Sequence, residues 1–199
     1  MINFTLFSTL AAFYFTMFFT PGPNNAMLTA SGMKFGFTRT LPHLIGISLG
    51  HILQISLTCF GLANIFLIYP QVQFYMKVLC FLYLIYLGWK MIGSFSSIQK
   101  ETGRPLRFYE ASLFQFINPK AWSIAVTVAS GFFPIEENIF IGVAFVTVTA
   151  AVINLPTCSL WALFGSGLRK FVNNEKIKKL IEYLLAVLLV LTGLYILIK

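Results

Sequence analysis

The sequence predicts an all-α polytopic membrane protein of six transmembrane helices, built as two inverted repeats of three. Three observations predict this fold class. Of the 199 residues, 58% are hydrophobic and only 10% are charged, whereas a soluble domain carries roughly 25% charged residues. The apolar residues fall into six runs long enough to cross a bilayer, which takes about 20 residues. The basic residues are concentrated in alternate loops. We therefore expect one transmembrane domain over residues 1–199.

The six apolar runs cover residues 3–20, 41–69, 72–92, 111–133, 138–165 and 179–198. Basic residues follow the first, third and fifth runs: Lys34 and Arg39, then Lys100, Arg104 and Arg107, then Arg169, Lys170, Lys176, Lys178 and Lys179. The turns near residues 69–71 and 134–137 carry no Lys or Arg. Since cytoplasmic loops are enriched in Lys and Arg, this alternation predicts an even number of spans with both termini outside the cytoplasm.

The first run ends in a motif that breaks helices, Thr20-Pro21-Gly22-Pro23-Asn24-Asn25, before an apolar stretch resumes at residues 26–30. Each proline removes a donor and clashes with the preceding turn. Unwound backbone is tolerated in a membrane only where it faces protein or a water-filled cavity. We therefore expect a broken first helix, with the residues from Pro21 to Asn25 lining a cavity. The alternative is that the motif is only the exit turn of this helix.

The second run carries a polar stripe. His43, His51, Gln54 and Thr58 fall on one helical face, which we expect to face neighbouring helices. His51 lies near the middle of the membrane, where an imidazole can titrate near neutral pH, so it is our candidate for proton coupling. A neutral histidine that hydrogen-bonds across helices is the alternative. Gly46 and Gly50 form a GxxxG pattern, which is typical of close helix packing.

The third run has a lysine near each end, Lys77 and Lys90. This placement is typical of residues that anchor a helix at the membrane interface.

The fourth run contains a second proline motif, Asn118-Pro119-Lys120. A shift of 96 positions brings Pro23 onto Pro119 and Gly46 onto Gly142, which suggests pseudo-repeats at about 1–95 and 106–199. Because each repeat would hold three helices, the second would be inserted upside down. Proline-interrupted segments in corresponding places of two halves point to the binding site of a transporter.

Lys120 stands inside this apolar run, where a charge costs about 2.5–3.5 kcal/mol and normally faces the interior. Its ammonium could hold a substrate carboxylate, while the amides of Asn24, Asn25 and Asn118 offer donors and acceptors. This chemistry suits a zwitterion. The alternative is that Lys120 extends toward the headgroups.

Asn154 and Pro156 interrupt the fifth run. Asn154 is a further candidate for the cavity lining, although a proline kink alone would explain the pair. We interpret Gly165 and Gly167, at the end of this run, as close-packing residues. In the sixth run, Glu182 is interpreted as a solvated partner of the neighbouring lysines rather than a coupling group.

Several classes of protein are disfavoured. The chain has no Asp and shows no catalytic constellation or phosphate-binding loop, so we do not expect an enzyme. Its aromatic residues lie inside the apolar runs, so single-stranded nucleic acid is not an expected partner despite the formal charge of +8. Cys59, Cys80 and Cys158 stand singly and are interpreted as buried apolar residues. No metal site or cofactor is expected.

Taken together, the motif from Thr20 to Asn25, Gly36-Phe37, the second-helix segment 46–50 and the segment 114–121 resemble the LysE/RhtB family of bacterial amino-acid exporters. The doubled asparagine and the Phe-Gln-Phe-Ile-Asn run resemble the branch that exports cysteine and O-acetylserine more than the branch that exports lysine. The resemblance implies an inner-membrane translocator that exports small amino acids by proton antiport. The absence of a mid-membrane carboxylate favours neutral substrates of the cysteine, O-acetylserine, homoserine or threonine type.

Two alternatives stay open at this point. A membrane thiol carrier of similar topology would shuttle electrons through paired cysteines, although neither broken segment contains one. A lipid-handling or interaction protein would transport no small solute. The lipid bilayer and the amino acid are the expected partners, and a homo-oligomer is compatible with the sequence.

Overall fold

The computed structural model describes residues 1–62, 68–69, 71–92, 103–169 and 175–198. Within these ranges the chain forms eight α-helices and no strand, which confirms the all-α fold class. The helices are α1 (Phe4–Phe19), α2 (Pro23–Phe35), α3 (Phe37–Leu57), α4 (Gln71–Met91), α5 (Phe108–Ile117), α6 (Pro119–Gly131), α7 (Ile139–Leu168) and α8 (Glu175–Ile198). A π-helical turn, Thr58–Leu62, continues α3.

Both proline motifs separate two helices. The axes of α1 and α2 differ by 55° across the break at residues 20–22, and α5 ends one residue before Asn118, after which α6 begins. Each second segment has 13 residues and carries proline at its start, a position where the missing N–H costs no helical hydrogen bond.

Other boundaries differ from the sequence prediction. The second run was expected to begin at residue 41, but α3 begins at Phe37 and contains Pro42. Gly36, with φ of +82°, separates α2 from α3, because glycine adopts this conformation without steric cost.

Asn154 and Pro156 interrupt the apolar run of the sequence but not the helix, since α7 continues through both residues. The hydroxyl of Thr157 donates to the carbonyl of Ile153 at 2.7 Å. The polar side chain that follows the proline therefore has its hydrogen-bond partner within the same helix.

The helices pack chiefly as the pairs α2 with α7, α4 with α8 and α3 with α5. Glycines allow the close approaches: a Cβ on Gly165 would lie 2.1 Å from the Thr29 carbonyl oxygen, and one on Gly46 would lie 2.3 Å from the Phe108 carbonyl oxygen. A Cβ on Gly167 would meet no described atom within 4 Å, so the interpretation of Gly167 as a packing residue is wrong.

The outer surface of the bundle is apolar. Large hydrophobic side chains are exposed on α1, α3, α4, α5, α7 and α8, whereas α2 and α6 expose none among the described residues. Of the two segments that follow the breaks, α2 is an inner helix, whereas α6 exposes a face of small and polar residues, Ser123, Thr127, Ser130 and Gly131. An apolar exterior of this extent is typical of a protein solvated by lipid.

By length and composition, Phe37–Gly61 and Ile139–Leu168 could each cross a membrane, and the bent pair of α1 and α2 would form a third span. Shorter apolar helices occur at Phe74–Trp89 and Tyr183–Leu194. The count of six spans and the inverted repeats stay predictions. The side chains of Lys90, Lys178 and Glu182, and residues Lys100 and Lys170, lie outside the described part of the chain.

Candidate functional site

A small cavity lies where the two breaks meet. Eight of the ten candidate site residues line it: Gly22, Pro23, Asn24, Asn25, His51, Asn118, Lys120 and Asn154. The other lining residues were not predicted: Met17, Phe18, Ala121, Ile124 and Cys158. Residues from both halves of the sequence are thus brought together at one point in the bundle.

The two remaining candidates lie beside the cavity. Pro21 is exposed between α1 and α2, and only its carbonyl takes part, as an acceptor from Lys120 at 3.3 Å. Pro119 is the first residue of α6, where its ring fixes the start of the helix.

Asn25 closes the end of α1. It is buried, and its Nδ2 donates to the carbonyls of Phe18 at 2.8 Å and Thr20 at 2.9 Å. The last carbonyls of a helix have no partner within that helix, and leaving them unpaired in a membrane costs several kcal/mol. The side chain of Asn25 therefore stabilises the break from the inside.

Lys120 reaches across the cavity to the same break. Its Nζ donates to the carbonyl of Thr20 at 2.7 Å and to that of Pro21 at 3.3 Å. The C-terminal end of a helix carries partial negative charge, so the ammonium lies at a favourable place. The structure thus directs Lys120 to the first break rather than along its own helix toward a membrane surface.

Gly22 leaves room for that side chain. A Cβ at Gly22 would lie 2.9 Å from Cδ and 3.0 Å from Nζ of Lys120, closer than such atoms approach. The backbone of Gly22 is extended, so a Cβ here would not strain the backbone but would displace the flexible side chain of Lys120 from its present position.

Side-chain amides join the two breaks directly. Asn24 Nδ2 donates to Gln115 Oε1 at 2.8 Å, and Gln115 Nε2 donates to Asn24 Oδ1 at 3.2 Å. Asn118 Nδ2 also donates to Asn24 Oδ1, at 3.3 Å, while its Oδ1 caps α6 by accepting from the N–H of Lys120. Sequence reasoning missed Gln115. Its amide inside an apolar run, three residues before Asn118, was the signal that could have identified it.

His51 lies on the α3 side of the cavity. Its Nδ1 is 3.2 Å from Gln54 Oε1, and Gln54 Nε2 donates to the carbonyl of Gln115 at 3.0 Å. The ring of Phe18 meets the imidazole edge-on at a centroid distance of 5.3 Å. The polar stripe predicted on this helix is buried and faces its neighbours as expected.

On the α7 side, Asn154 lines the cavity. It is buried, and the helix continues through it. Its Oδ1 accepts from Ser48 Oγ at 2.7 Å and from Cys158 Sγ at 3.4 Å. Ser48 and Cys158 were both missed, since a serine and a cysteine in apolar helices resemble ordinary packing residues.

The cavity has a volume of about 30 Å³, which holds water but no amino acid. Among the described residues that line it, one carries an ammonium group, several offer amides, and none has a carboxylate. The arrangement can therefore bind an anion and hydrogen-bond donors, provided that the two breaks move apart to admit a ligand.

Comparisons with known proteins match the chain to one family. The family model described as "LysE type translocator" matches residues 15–199. The cysteine/O-acetylserine efflux protein of Escherichia coli (strain K12) is 28% identical over 162 residues, 81% of this chain and 83% of the relative. The proteins of that name from Escherichia coli O1:K1 / APEC and Salmonella typhi are 30% and 29% identical, over 81% and 73% of this chain and 83% and 75% of theirs. No solved structure matches the chain significantly.

Proposed function

This chain belongs to the LysE type translocator family, and on that premise we propose that it exports small neutral amino acids from the bacterial cytoplasm through the cavity between its two broken helices. Cysteine, O-acetylserine, homoserine and threonine are the candidate substrates. The single observation that carries the proposal is the convergence of both breaks on one buried cavity lined by Lys120 and four asparagines.

The position of the polar groups supports a zwitterionic substrate. An incoming carboxylate would be held by the ammonium of Lys120 and the amides of Asn24 and Asn118, all of which line the cavity. A substrate with a second positive charge would require a carboxylate partner, and the described lining residues include none. The site therefore favours neutral side chains.

The small volume supports alternating access. Since the cavity measures about 30 Å³, the site has no room for an amino acid, and a substrate enters only when the broken helices separate. Lys120 and the amide bridge between Asn24 and Gln115 join the two breaks. These hydrogen bonds must therefore break when the cavity opens. Rocking of two inverted repeats of three spans would expose the site to each side in turn.

We place the protein in the inner membrane with its basic loops in the cytoplasm and both termini outside. Export would be driven by protons entering in exchange. Six spans are supported by the alternation of loops with and without Lys or Arg and by the pairs of described helices around each break.

The test is overproduction of the chain in bacteria, with measurement of the four amino acids in the growth medium and of counterflow in vesicles that contain the purified protein. Alanine variants of Asn24, Asn118 and Lys120 should lose at least nine tenths of export at unchanged membrane abundance. Export by all three variants at the level of the unaltered protein would refute the site, and absence of counterflow for all four amino acids would refute the function.

The thiol-carrier alternative receives no support from the described residues. Cys59, Cys80 and Cys158 are free and belong to three different apolar clusters. Electron transfer through a disulfide requires two cysteines with Cα atoms within about 7 Å. We therefore propose no redox function. Cys80 and Cys158 are buried as expected, whereas Cys59 is half-buried.

A further inference from the structure

We propose that Nε2 of His51 is the acceptor for the substrate's α-ammonium group, and that substrate and proton compete for this one nitrogen. The inference rests on the proposed export function and goes beyond it, because it assigns the residue that recognises the amino end of the substrate and the way in which transport is coupled to protons.

The first step is the tautomer of His51. Gln54 Nε2 donates to the backbone carbonyl of Gln115 at 3.0 Å, which fixes the orientation of the Gln54 amide and turns its Oε1 toward His51. An amide oxygen accepts hydrogen bonds and cannot donate them. The contact of 3.2 Å between Nδ1 and Oε1 therefore requires the hydrogen on Nδ1. In a neutral imidazole, Nε2 is then a pure acceptor.

The second step is the position of this acceptor. His51 is 2% exposed and lines the cavity. Among the residues that the structure describes, none offers a hydrogen-bond partner to Nε2. A buried acceptor without a donor is unfavourable, so a ligand that brings an N–H group into the cavity gains this hydrogen bond. The α-ammonium group of an amino acid is such a donor, and its carboxylate is not.

The third step is the charge around His51. Facing it, α6 contributes Lys120 and α7 contributes Cys158, both of which line the same cavity. On α1 the nearest titratable group is Tyr14, whose hydroxyl donates to the carbonyl of Val146 at 3.0 Å. On its own helix and the π-helical turn, His43 and Cys59 lie two turns away. On α5, Glu110 is bound to Arg104 at 2.6 Å. No described carboxylate reaches the cavity to share its proton.

Competition follows from these positions. One lone pair holds either the hydrogen of an ammonium or a proton, and never both. A proton on Nε2 also adds a second positive charge beside Lys120, which repels the ammonium of the substrate. In export, the substrate would leave Nε2 on the outer side, a proton from external water would take its place, and that proton would pass to cytoplasmic water before the next substrate binds. This is one proton inward for one amino acid outward.

The test uses the purified full-length chain in vesicles of phosphatidylethanolamine and phosphatidylglycerol, with whichever of L-cysteine, O-acetyl-L-serine, L-threonine and L-homoserine the unaltered protein exchanges fastest. His51→Gln keeps an acceptor oxygen but takes up no proton. We expect it to retain counterflow within about fivefold and to lose accumulation driven by a pH gradient. Its apparent affinity should not change with pH, whereas that of the unaltered protein falls about tenfold for each pH unit below the titration of His51.

His51→Leu has no acceptor and should lose counterflow at least tenfold. The matched control is His43→Gln, because His43 is an equally buried histidine on the same helix that does not line the cavity; it should keep accumulation driven by the gradient. Accumulation by His51→Gln equal to that of the unaltered protein, or full counterflow by His51→Leu, would overturn the inference while leaving export intact. If the unaltered protein exchanges none of the four amino acids, the proposed export function itself is refuted.

Discussion

At the scale of single residues, the cavity is organised by polar groups that satisfy backbone freed by the breaks. Asn25 and Lys120 between them bind the carbonyls of Phe18, Thr20 and Pro21. Both side chains serve the end of α1, but Asn25 belongs to the next helix and Lys120 lies 100 residues away from Thr20. The local contact stabilises the break, and the distant one links it to the other half of the chain.

Gly22→Ala tests that link. Because the new Cβ would lie 2.9 Å from Cδ of Lys120, and a lysine side chain is flexible, the lysine should move while the fold persists. We expect normal membrane abundance and a loss of export of about fivefold or more. Gly131→Ala is the control, since Gly131 has open space around it. Equal export by both variants, measured in the growth medium, would show that the position of Lys120 does not matter.

At the scale of elements, two kinds of contact hold the helices together. Glycines let α2 approach α7 and let α3 approach α5 at backbone distance. Amide bridges join α2 to α5 across the cavity. The glycine contacts are steric, whereas the amide groups can exchange hydrogen-bond partners with a substrate or with water.

Gly165→Ala should destabilise the α2 and α7 pair. Its Cβ would lie 2.1 Å from a backbone oxygen of Thr29, which cannot rotate away, and overpacking of this kind costs about 1–3 kcal/mol. Thermal unfolding of the purified protein should show a lowered midpoint. The paired control is Gly167→Ala, two residues along the same helix, where open space predicts no lowering of the midpoint.

The amide bridge between Asn24 and Gln115 predicts coupling between the two breaks. Alanine substitutions at either position remove the same pair of hydrogen bonds, so the double variant should lose little more export than the worse single variant. Initial rates of counterflow for the four members of this cycle give the measurement. Independent, additive losses would mean that the two amides act separately.

At the scale of the whole molecule, charge and apolar surface determine how the bundle lies in a membrane. Exposed Leu, Ile and Phe side chains cover the outer helices, whereas α2 has no exposed residue and α6 exposes no large hydrophobic side chain among the described residues. The helices α2 and α6 occupy corresponding positions after the two breaks. That correspondence is what an inverted repeat would produce.

The orientation can be measured with single cysteines introduced into a variant in which Cys59, Cys80 and Cys158 are replaced by serine or alanine. Ile135 lies in a turn without Lys or Arg and is 86% exposed, so Ile135→Cys should react with a membrane-impermeant maleimide added to intact cells. Arg104→Cys, in a basic loop, should react only after the inner membrane is opened. The reverse pattern would contradict the proposed topology.

The sequence by itself determined the all-α class, the positions of both breaks and most of the cavity lining, because proline, glycine and an isolated lysine in apolar runs have strong local consequences. The tertiary structure decided the rest. It showed that α7 passes Pro156 without a break, that Gln115 is the amide between the two halves, and that His51 lines the cavity with Nε2 unpartnered among the described residues. The last two features depend on which side chains meet across 50 or more residues, and such contacts leave no periodic or compositional trace in a single chain.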